Sequence, residues 1–176
     1  MTGETIYLTG FMGAGKTTIG KKLGEELSMT VVDTDKMIEE ICQKKISDIF
    51  KEDGEVRFRE YESRILKSLS LKHAIVTTGG GIINSQENRR FMKENGIVIY
   101  LHCDPKVILR RLRDDTTRPL LEKNKDKTVV NMLDARLPYY LEADYTVNTT
   151  MKSVDTIITE MTHFLNRYSF CWAQHK

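Results

Sequence analysis

The residues with the clearest chemical potential lie near the start of the chain, in the segment "GFMGAGKT" from Gly10 to Thr17. This segment fits the phosphate-binding pattern G-x-x-x-x-G-K-[ST] at every position, and it stands between an apolar run and an amphipathic segment. Backbone N–H groups of such a loop present partial positive charge to phosphate oxygens. Lys16 adds a full charge at the β- and γ-phosphates, and the hydroxyl of Thr17 can hold Mg²⁺. The residues predicted to bind the triphosphate are Gly13, Ala14, Gly15, Lys16, Thr17 and Thr18.

Two aspartates, Asp33 and Asp35, follow a second apolar run in "VVDTDKMIEE". Residues two apart on a strand point the same way, so both carboxylates face one crevice if the strand geometry continues to Asp35. The alternative is that Asp33 ends a strand and that Asp35 caps the helix beginning in "KMIEEI". This stretch by itself leaves both interpretations open.

Three further stretches suggest a site for a second, anionic substrate. The glycines of "VTTGGGII", at positions 79–81, follow an apolar run and allow backbone N–H groups to approach a ligand; the alternative is a flexible turn. Arg59 and Glu62 are three residues apart in a helical pattern, where the acid can orient the guanidinium or form an ordinary surface ion pair. Arg136 precedes Pro138 in "ARLPYYLEAD". Two arginines brought into one cleft would clamp a carboxylate.

Short apolar runs that alternate with amphipathic segments must position these residues. Helical patterns cover 16–27, 105–112 and roughly 153–168. The rhythm predicts an α/β fold, a single P-loop domain with a five-stranded parallel sheet and helices on both faces, whose ligands bind beyond the carboxyl ends of the strands. The candidate strands are residues 5–9, 30–33, 74–78, 97–101 and 145–148.

Two segments interrupt this rhythm. Residues 34–73 form a long connection with several helical pieces. The segment of about residues 33–62 is predicted to bind the second substrate, which is called the acceptor below. Residues 113–127 are almost wholly polar around one "PLL", which is typical of either a solvated loop or a mobile lid. With no internal repeat or linker, residues 1–176 are predicted to form one domain.

Composition excludes several classes of protein. The 176 residues carry 27 Lys and Arg against 25 Asp and Glu, and this net charge of +2 argues against a nucleic-acid binder. Three widely spaced cysteines give neither a zinc pattern nor a disulfide framework. No leader is evident and no run approaches 18 apolar residues, so a soluble cytoplasmic protein that does not bind membranes is expected.

Two other nucleotide-binding classes fit poorly. A dinucleotide-binding loop needs G-x-G-x-x-G or a final alanine, but Thr18 stands at that position and Lys16 would have no role. A regulatory GTPase would read guanine with N-K-x-D, but the fourth residue of "NKDK" is Lys127, and D-x-x-G does not occur.

Taken together, the motifs resemble the shikimate kinase family over about residues 5–165. The resemblance rests on "GFMGAGKTTIGKKL", "DTD", "ISDIFKEDGEVRFREYE", "TTGGGI", "RPLL" and "RLPYYLEAD", all in order. It implies transfer of the ATP γ-phosphate to the 3-hydroxyl of shikimate, with Mg²⁺ as cofactor and a monomer as the expected state. The alternatives are a related small-molecule kinase, such as a gluconate kinase, and a non-catalytic ATP-binding module.

On the acceptor side, the resemblance divides the work of the two aspartates. Asp33 would hold Mg²⁺ with Thr17, while Asp35 would bond the acceptor hydroxyls and is the candidate base for the 3-hydroxyl proton. Arg59 and Arg136 would hold the shikimate carboxylate, with Glu62 supporting the guanidinium. The resemblance also implies backbone contacts from Gly80 and Gly81, and an apolar wall of Ile46, Phe50 and Phe58.

On the nucleotide side, the resemblance implies that Arg118 closes over the phosphates and that Arg111 stacks on adenine. The expected catalytic residues are Lys16, Asp35 and Arg118. This sequence departs from the family pattern in "NTTMKS", which lacks a frequent arginine, and Lys152 is the candidate substitute at the adenine.

Overall fold

The computed structural model describes residues 4–69, 71–112 and 125–173 of the chain. Arg118 and most of the predicted lid, about 113–127, lie outside the described residues. Among the helices of the described part of the chain, none combines the length and the apolarity needed to cross a membrane.

Five parallel strands form one sheet, as predicted. Their order across the sheet is β2-β3-β1-β4-β5, and every neighbouring pair is parallel. The three central strands are almost entirely buried because helices cover both faces, which explains their Val- and Ile-rich sequences. The strands are β1 (Thr5–Thr9), β2 (Thr30–Asp33), β3 (Ala74–Thr77), β4 (Gly96–His102) and β5 (Tyr145–Asn148).

Eight helices surround the sheet within the described ranges. The predicted bounds of α1 and α6 match the structure, while α8 extends beyond the predicted 153–168. The long connection after β2 contains three helices, α2 to α4, in agreement with the several helical pieces expected there. The helices are α1 (Lys16–Leu27), α2 (Thr34–Cys42), α3 (Ile46–Glu52), α4 (Gly54–Ser68), α5 (Gln86–Asn95), α6 (Pro105–Leu112), α7 (Lys125–Tyr140) and α8 (Val154–Ala173).

Two helices were not predicted from the sequence. The strongly polar α5 is capped by the Ser85 side chain, which accepts the N–H of Asn88. Helix α7 contains Pro138 near its end, and it begins at Lys125 so that residues 125–127 of the predicted lid are helical. Pro138 lies two residues before the end of the helix, so the hydrogen bond that it cannot donate to the Asp134 carbonyl is one of the last in the helix.

The hydrophobic residues form a main core around the sheet and a second, smaller core under α2, α3 and α4. The second core is built on Ile38, Ile49, Phe58 and Ile65. Phe50 packs on its edge with its ring centroid 4.6 Å from that of Phe58. The connection after β2 is therefore a packed unit with its own apolar interior, which can hold one wall of a cavity in place.

Candidate active site

The phosphate-binding loop joins β1 to α1. Gly15 precedes the helix with a φ of 98°, a left-handed conformation that favours glycine, and α1 begins at Lys16. The Lys16 ammonium donates to the carbonyl oxygens of Gly10 at 2.8 Å and Phe11 at 3.0 Å, so its charge lies against the loop. A cavity of about 400 Å³ adjoins this loop. All six residues predicted to bind the triphosphate line it: Gly13, Ala14, Gly15, Lys16, Thr17 and Thr18.

Asp33 has two structural roles at once. It ends β2 and caps α2, because its Oδ1 accepts the N–H groups of Asp35 at 3.1 Å and Lys36 at 3.3 Å. Its Oδ2 accepts the Thr17 hydroxyl at 3.1 Å. Strand geometry therefore does not continue to Asp35, and the suggestion that Asp35 caps the helix was also wrong, since a cap precedes the first helical turn and Asp35 lies within it.

A second cavity, of about 590 Å³, lies beside the first. Thr17, Asp33 and Asp35 line both cavities, although strand geometry does not align the two aspartates. The two spaces therefore meet at one hydroxyl and two carboxylates. A donor in one cavity and an acceptor in the other would face each other at this point.

Arg59 and Glu62 of α4 lie on the wall of the second cavity. The Arg59 Nη1 donates to Glu62 Oε2 at 2.5 Å and its Nη2 donates to Glu55 Oε1 at 2.9 Å. Glu62 is only 1% exposed, so this is a buried contact and not the surface ion pair considered above. The Glu62 pKa is raised to about 7, chiefly by burial and in smaller part by the Asp35 charge, while Arg59 and Arg136 act to lower it.

The glycine run after β3 is required by close packing. A Cβ on Gly79 would collide with Glu62 Oε1, and a Cβ on Gly81 would collide with the Arg59 guanidinium. Glu62 Oε1 is buried and accepts no hydrogen bond from the described residues. The run is therefore the surface against which the charged groups of the second cavity are packed, which argues against a flexible turn.

Arg136 reaches the same cavity from α7. It is 7% exposed, its guanidinium carbon lies 5.7 Å from the centre of the Phe11 ring, and its Nη1 lies 3.5 Å from the Gly80 carbonyl oxygen. Arg59 and Arg136, which belong to different helices, thus line one cavity with Gly80 and Gly81. The three residues of the predicted apolar wall, Ile46, Phe50 and Phe58, line it as well.

Comparison with known proteins decides the family. The shikimate kinase family model matches residues 12–166. A shikimate kinase from Bacillus mycoides is 55% identical over 163 residues, covering 93% of this chain and 99% of that protein. This chain belongs to the shikimate kinase family. The structure of shikimate kinase from Acinetobacter baumannii in complex with shikimate matches with a TM-score of 0.90 at 38% identity, covering 94% of each chain. Shikimate kinase from Aquifex aeolicus gives a TM-score of 0.83 at 32% identity, covering 94% of this chain and 98% of that one.

Membership of the shikimate kinase family confirms three predictions made from the sequence: the family itself, the α/β fold with its parallel sheet, and an ATP-dependent kinase that phosphorylates shikimate. A gluconate kinase and a non-catalytic ATP-binding module find no support in these relatives. The roles of individual residues remain predictions.

On the nucleotide side, the predicted adenine contacts line the first cavity. Arg111 donates from Nη1 to the Gly13 carbonyl oxygen at 2.9 Å, and Lys152 pairs with Glu160 at 2.5 Å. Arg118, which was predicted to close over the phosphates, lies outside the described residues.

Several residues of both cavities were not predicted. Thr78 and Thr149 line the first cavity, and Lys36, Glu39 and Lys45 line the second. Thr78 directly precedes the glycine run, and Lys36 directly follows the "DTD" segment. Their position next to these motifs could have been used to predict them. Thr149 lies in the "NTTMKS" stretch, and Glu39 and Lys45 lie in the predicted 33–62 segment, but no motif singles out these three residues, so their place depends on the fold.

Proposed function

We propose that this shikimate kinase family member binds ATP in the first cavity and shikimate in the second, and transfers the γ-phosphate to the shikimate 3-hydroxyl. The observation that carries this proposal is the meeting of the two cavities at Thr17, Asp33 and Asp35. In-line transfer needs the attacking oxygen and the leaving oxygen on opposite sides of one phosphorus atom. A shared boundary between two cavities provides that arrangement.

The acceptor cavity has the charge that a small carboxylic acid requires. Arg59 and Arg136 would hold the carboxylate by charge-assisted bonds, and Glu62 would fix the Arg59 guanidinium. Phe50 and Phe58 offer an apolar surface to the ring. The two arginines reach the cavity from different helices and would bind the two oxygens of one carboxylate, and Asp35 lines the same cavity.

The groups near the phosphates fit Mg²⁺. This ion keeps several waters and takes only one or two protein oxygens besides the phosphates. The Thr17 hydroxyl donates its proton to Asp33, so its lone pairs are available to a cation, and Asp33 adds a carboxylate next to it. When bound, Mg²⁺ would neutralise charge on the β- and γ-phosphates. Lys16 would provide positive charge from the loop, and Arg118 from the segment after α6.

Asp35 is placed at the boundary where the acceptor hydroxyl would lie. In the proposed step, the 3-hydroxyl oxygen forms a bond to the γ-phosphorus while the bond from that phosphorus to the β,γ-bridging oxygen breaks. The hydroxyl proton passes to the Asp35 carboxylate, and ADP leaves with the electron pair of the broken bond. The acceptor oxygen thereby gains nucleophilic character as it loses its proton.

Both proposed sites are built from a single chain, which supports a monomeric enzyme. We place it in the cytoplasm, where ATP is available as a substrate.

ADP release from Mg·ATP tests the proposal, with shikimate, gluconate, quinate or no acceptor present. Stimulation by shikimate alone is expected, with phosphorylation at the 3-hydroxyl shown by NMR of the product. Stimulation by another polyol acid would preserve the nucleotide site and overturn the acceptor assignment. No stimulation by any acceptor, from folded protein, would overturn the proposed reaction.

A further inference from the structure

Tyr140 lies behind the glycine run of the acceptor cavity. It follows Arg136 by four residues on α7, so both side chains lie on the same face of that helix. The Tyr140 side chain is 1% exposed, and its hydroxyl donates to the Gly80 carbonyl oxygen at 2.5 Å. It is not among the described residues that line the cavity, so it contacts the glycine run from the protein interior.

We propose that Tyr140 is a positioning residue of the acceptor site, which fixes the Gly80 carbonyl so that Gly80, Gly81 and Arg136 keep the geometry that acceptor binding needs. This inference rests on the proposed function.

The two donors at the Gly80 carbonyl have unequal geometry. The Tyr140 hydroxyl lies at 2.5 Å, whereas the Arg136 Nη1 lies at 3.5 Å, the outer limit of a hydrogen bond. Tyr140 therefore satisfies the buried carbonyl almost by itself. The Gly80 carbonyl therefore holds the Arg136 guanidinium only weakly, and Arg136 also lies close enough to the Tyr140 hydroxyl to hydrogen-bond it.

Packing holds the Tyr140 ring in place, and burial keeps its hydroxyl protonated. Its ring stacks on the Tyr100 ring, with centroids 4.8 Å apart and planes within 3°, and the Tyr100 hydroxyl hydrogen-bonds His102 Nδ1 at 3.2 Å. Burial raises the pKa of Tyr140 well above its usual value, so the hydroxyl keeps its proton and remains a donor.

The glycine run is also held at its first residue, Gly79. The Thr34 hydroxyl accepts the Gly79 N–H at 3.3 Å and donates to the Thr77 carbonyl oxygen at 3.4 Å. Thr34 thus ties the run to α2, which carries Asp35, while Tyr140 ties it to α7, which carries Arg136. Loss of the Tyr140 bond should release the side of the run that faces Arg136.

Tyr140→Phe tests the proposal because it removes one hydroxyl and keeps the ring that packs on Tyr100. The matched control is Tyr139→Phe, the same change one residue earlier at a side chain that is 40% exposed. We expect Tyr140→Phe to raise the shikimate KM about fivefold to tenfold, the effect of one buried hydrogen bond, with the ATP KM within about twofold of wild type. Tyr139→Phe should leave both constants within about twofold.

An unchanged shikimate KM in folded Tyr140→Phe, or an equal rise in both KM values, would overturn the proposal. Hydrogen exchange at the amides of residues 79–81 tests the positioning role of Tyr140 independently of the proposed function. Faster exchange in Tyr140→Phe than in Tyr139→Phe is expected even if the wild-type enzyme phosphorylates an acceptor other than shikimate. Equal exchange in the two variants would contradict the positioning role.

If Tyr140→Phe does not fold, 3-fluorotyrosine inserted at position 140 replaces it. Its fluorine resonance should shift when shikimate saturates the protein and shift much less with ADP alone. A resonance that responds equally to both ligands, or to neither, would overturn the proposal.

Discussion

The two sides of the proposed active site are built in different ways. The nucleotide side uses consecutive residues of one loop, Gly13 to Thr18, at the junction of β1 and α1. The acceptor side takes Arg59 from α4, Arg136 from α7 and the glycine run from the end of β3, and its apolar wall comes from the second hydrophobic core. A contiguous loop of this pattern binds the same class of ligand in any protein that contains it. A cavity assembled from several helices and strands can change its ligand specificity when any one of those elements changes.

This difference predicts that damage to one side will leave the binding function of the other intact. The largest effect is expected for Lys16→Ala, because Lys16 provides charge where the transferred phosphoryl group becomes more negative. We expect kcat to fall about thousandfold. Shikimate affinity, measured by calorimetry without nucleotide, should stay within about threefold of wild type.

The control for that variant is Lys22→Ala on the exposed face of the same helix, which should retain wild-type activity. Loss of shikimate affinity in Lys16→Ala would show that the two sides are not separable.

Arg136→Met tests the acceptor side with a side chain of similar length and no charge. Removing one member of a carboxylate clamp should raise the shikimate KM about hundredfold, since charge-assisted bonds are the strong ones. The ATP affinity, measured by calorimetry, should change by less than about twofold.

Arg90→Met is the matched control, because Arg90 is 79% exposed and pairs only with Glu94 among the described residues. An ATP affinity that falls as far as the acceptor affinity in Arg136→Met would contradict the division into two sides.

A smaller effect should appear in stability, at Glu62. Its pKa of about 7 in the folded protein lies above the ordinary value of 4.5, so the unfolded chain loses this proton first as pH rises. Glu62 therefore lowers the free energy of unfolding progressively between pH 4.5 and 7, by up to about 3 kcal/mol. Glu62→Gln should remove this dependence, so the wild type should lose stability relative to that variant as pH rises from 5 to 8.

Urea unfolding at several pH values measures this difference. Glu60→Gln, an exposed change on the same helix, should follow the wild type over that range. A difference between wild type and Glu62→Gln that does not vary with pH would contradict the raised pKa.

Sequence reasoning succeeded where function and local structure coincide. The apolar strands carry their own signal, and the sheet predicted from them is confirmed. The loop from Gly10 to Thr17 also carries its own signal, and its phosphate-binding role stays a prediction. On the acceptor side, the sequence suggested a carboxylate clamp but could not show that Arg59 and Arg136 share one cleft, because the distance between them depends on how α4 and α7 pack.

The local errors have identifiable causes. Asp33 meets two demands, a helix cap and a contact with Thr17, and periodicity could not show both. Helix α7 was missed because Pro138 is a helix-breaking signal in sequence, yet it stands where the helix is about to end. Tyr140 has an apolar context in sequence, and only the fold reveals that its hydroxyl meets the Gly80 carbonyl.

The most direct test of the two meeting cavities is single-turnover transfer from ATP to shikimate in Asp35→Asn, with both affinities measured in parallel. The change keeps the shape of the side chain and removes its capacity to take a proton. We predict that both ligands bind with affinities within about fivefold of wild type. The transfer rate should fall by about a hundredfold to ten-thousandfold and should no longer depend on the ionisation of an acidic group. Transfer near the wild-type rate with the wild-type pH profile would contradict the account, because the group at the boundary would then have no part in the reaction.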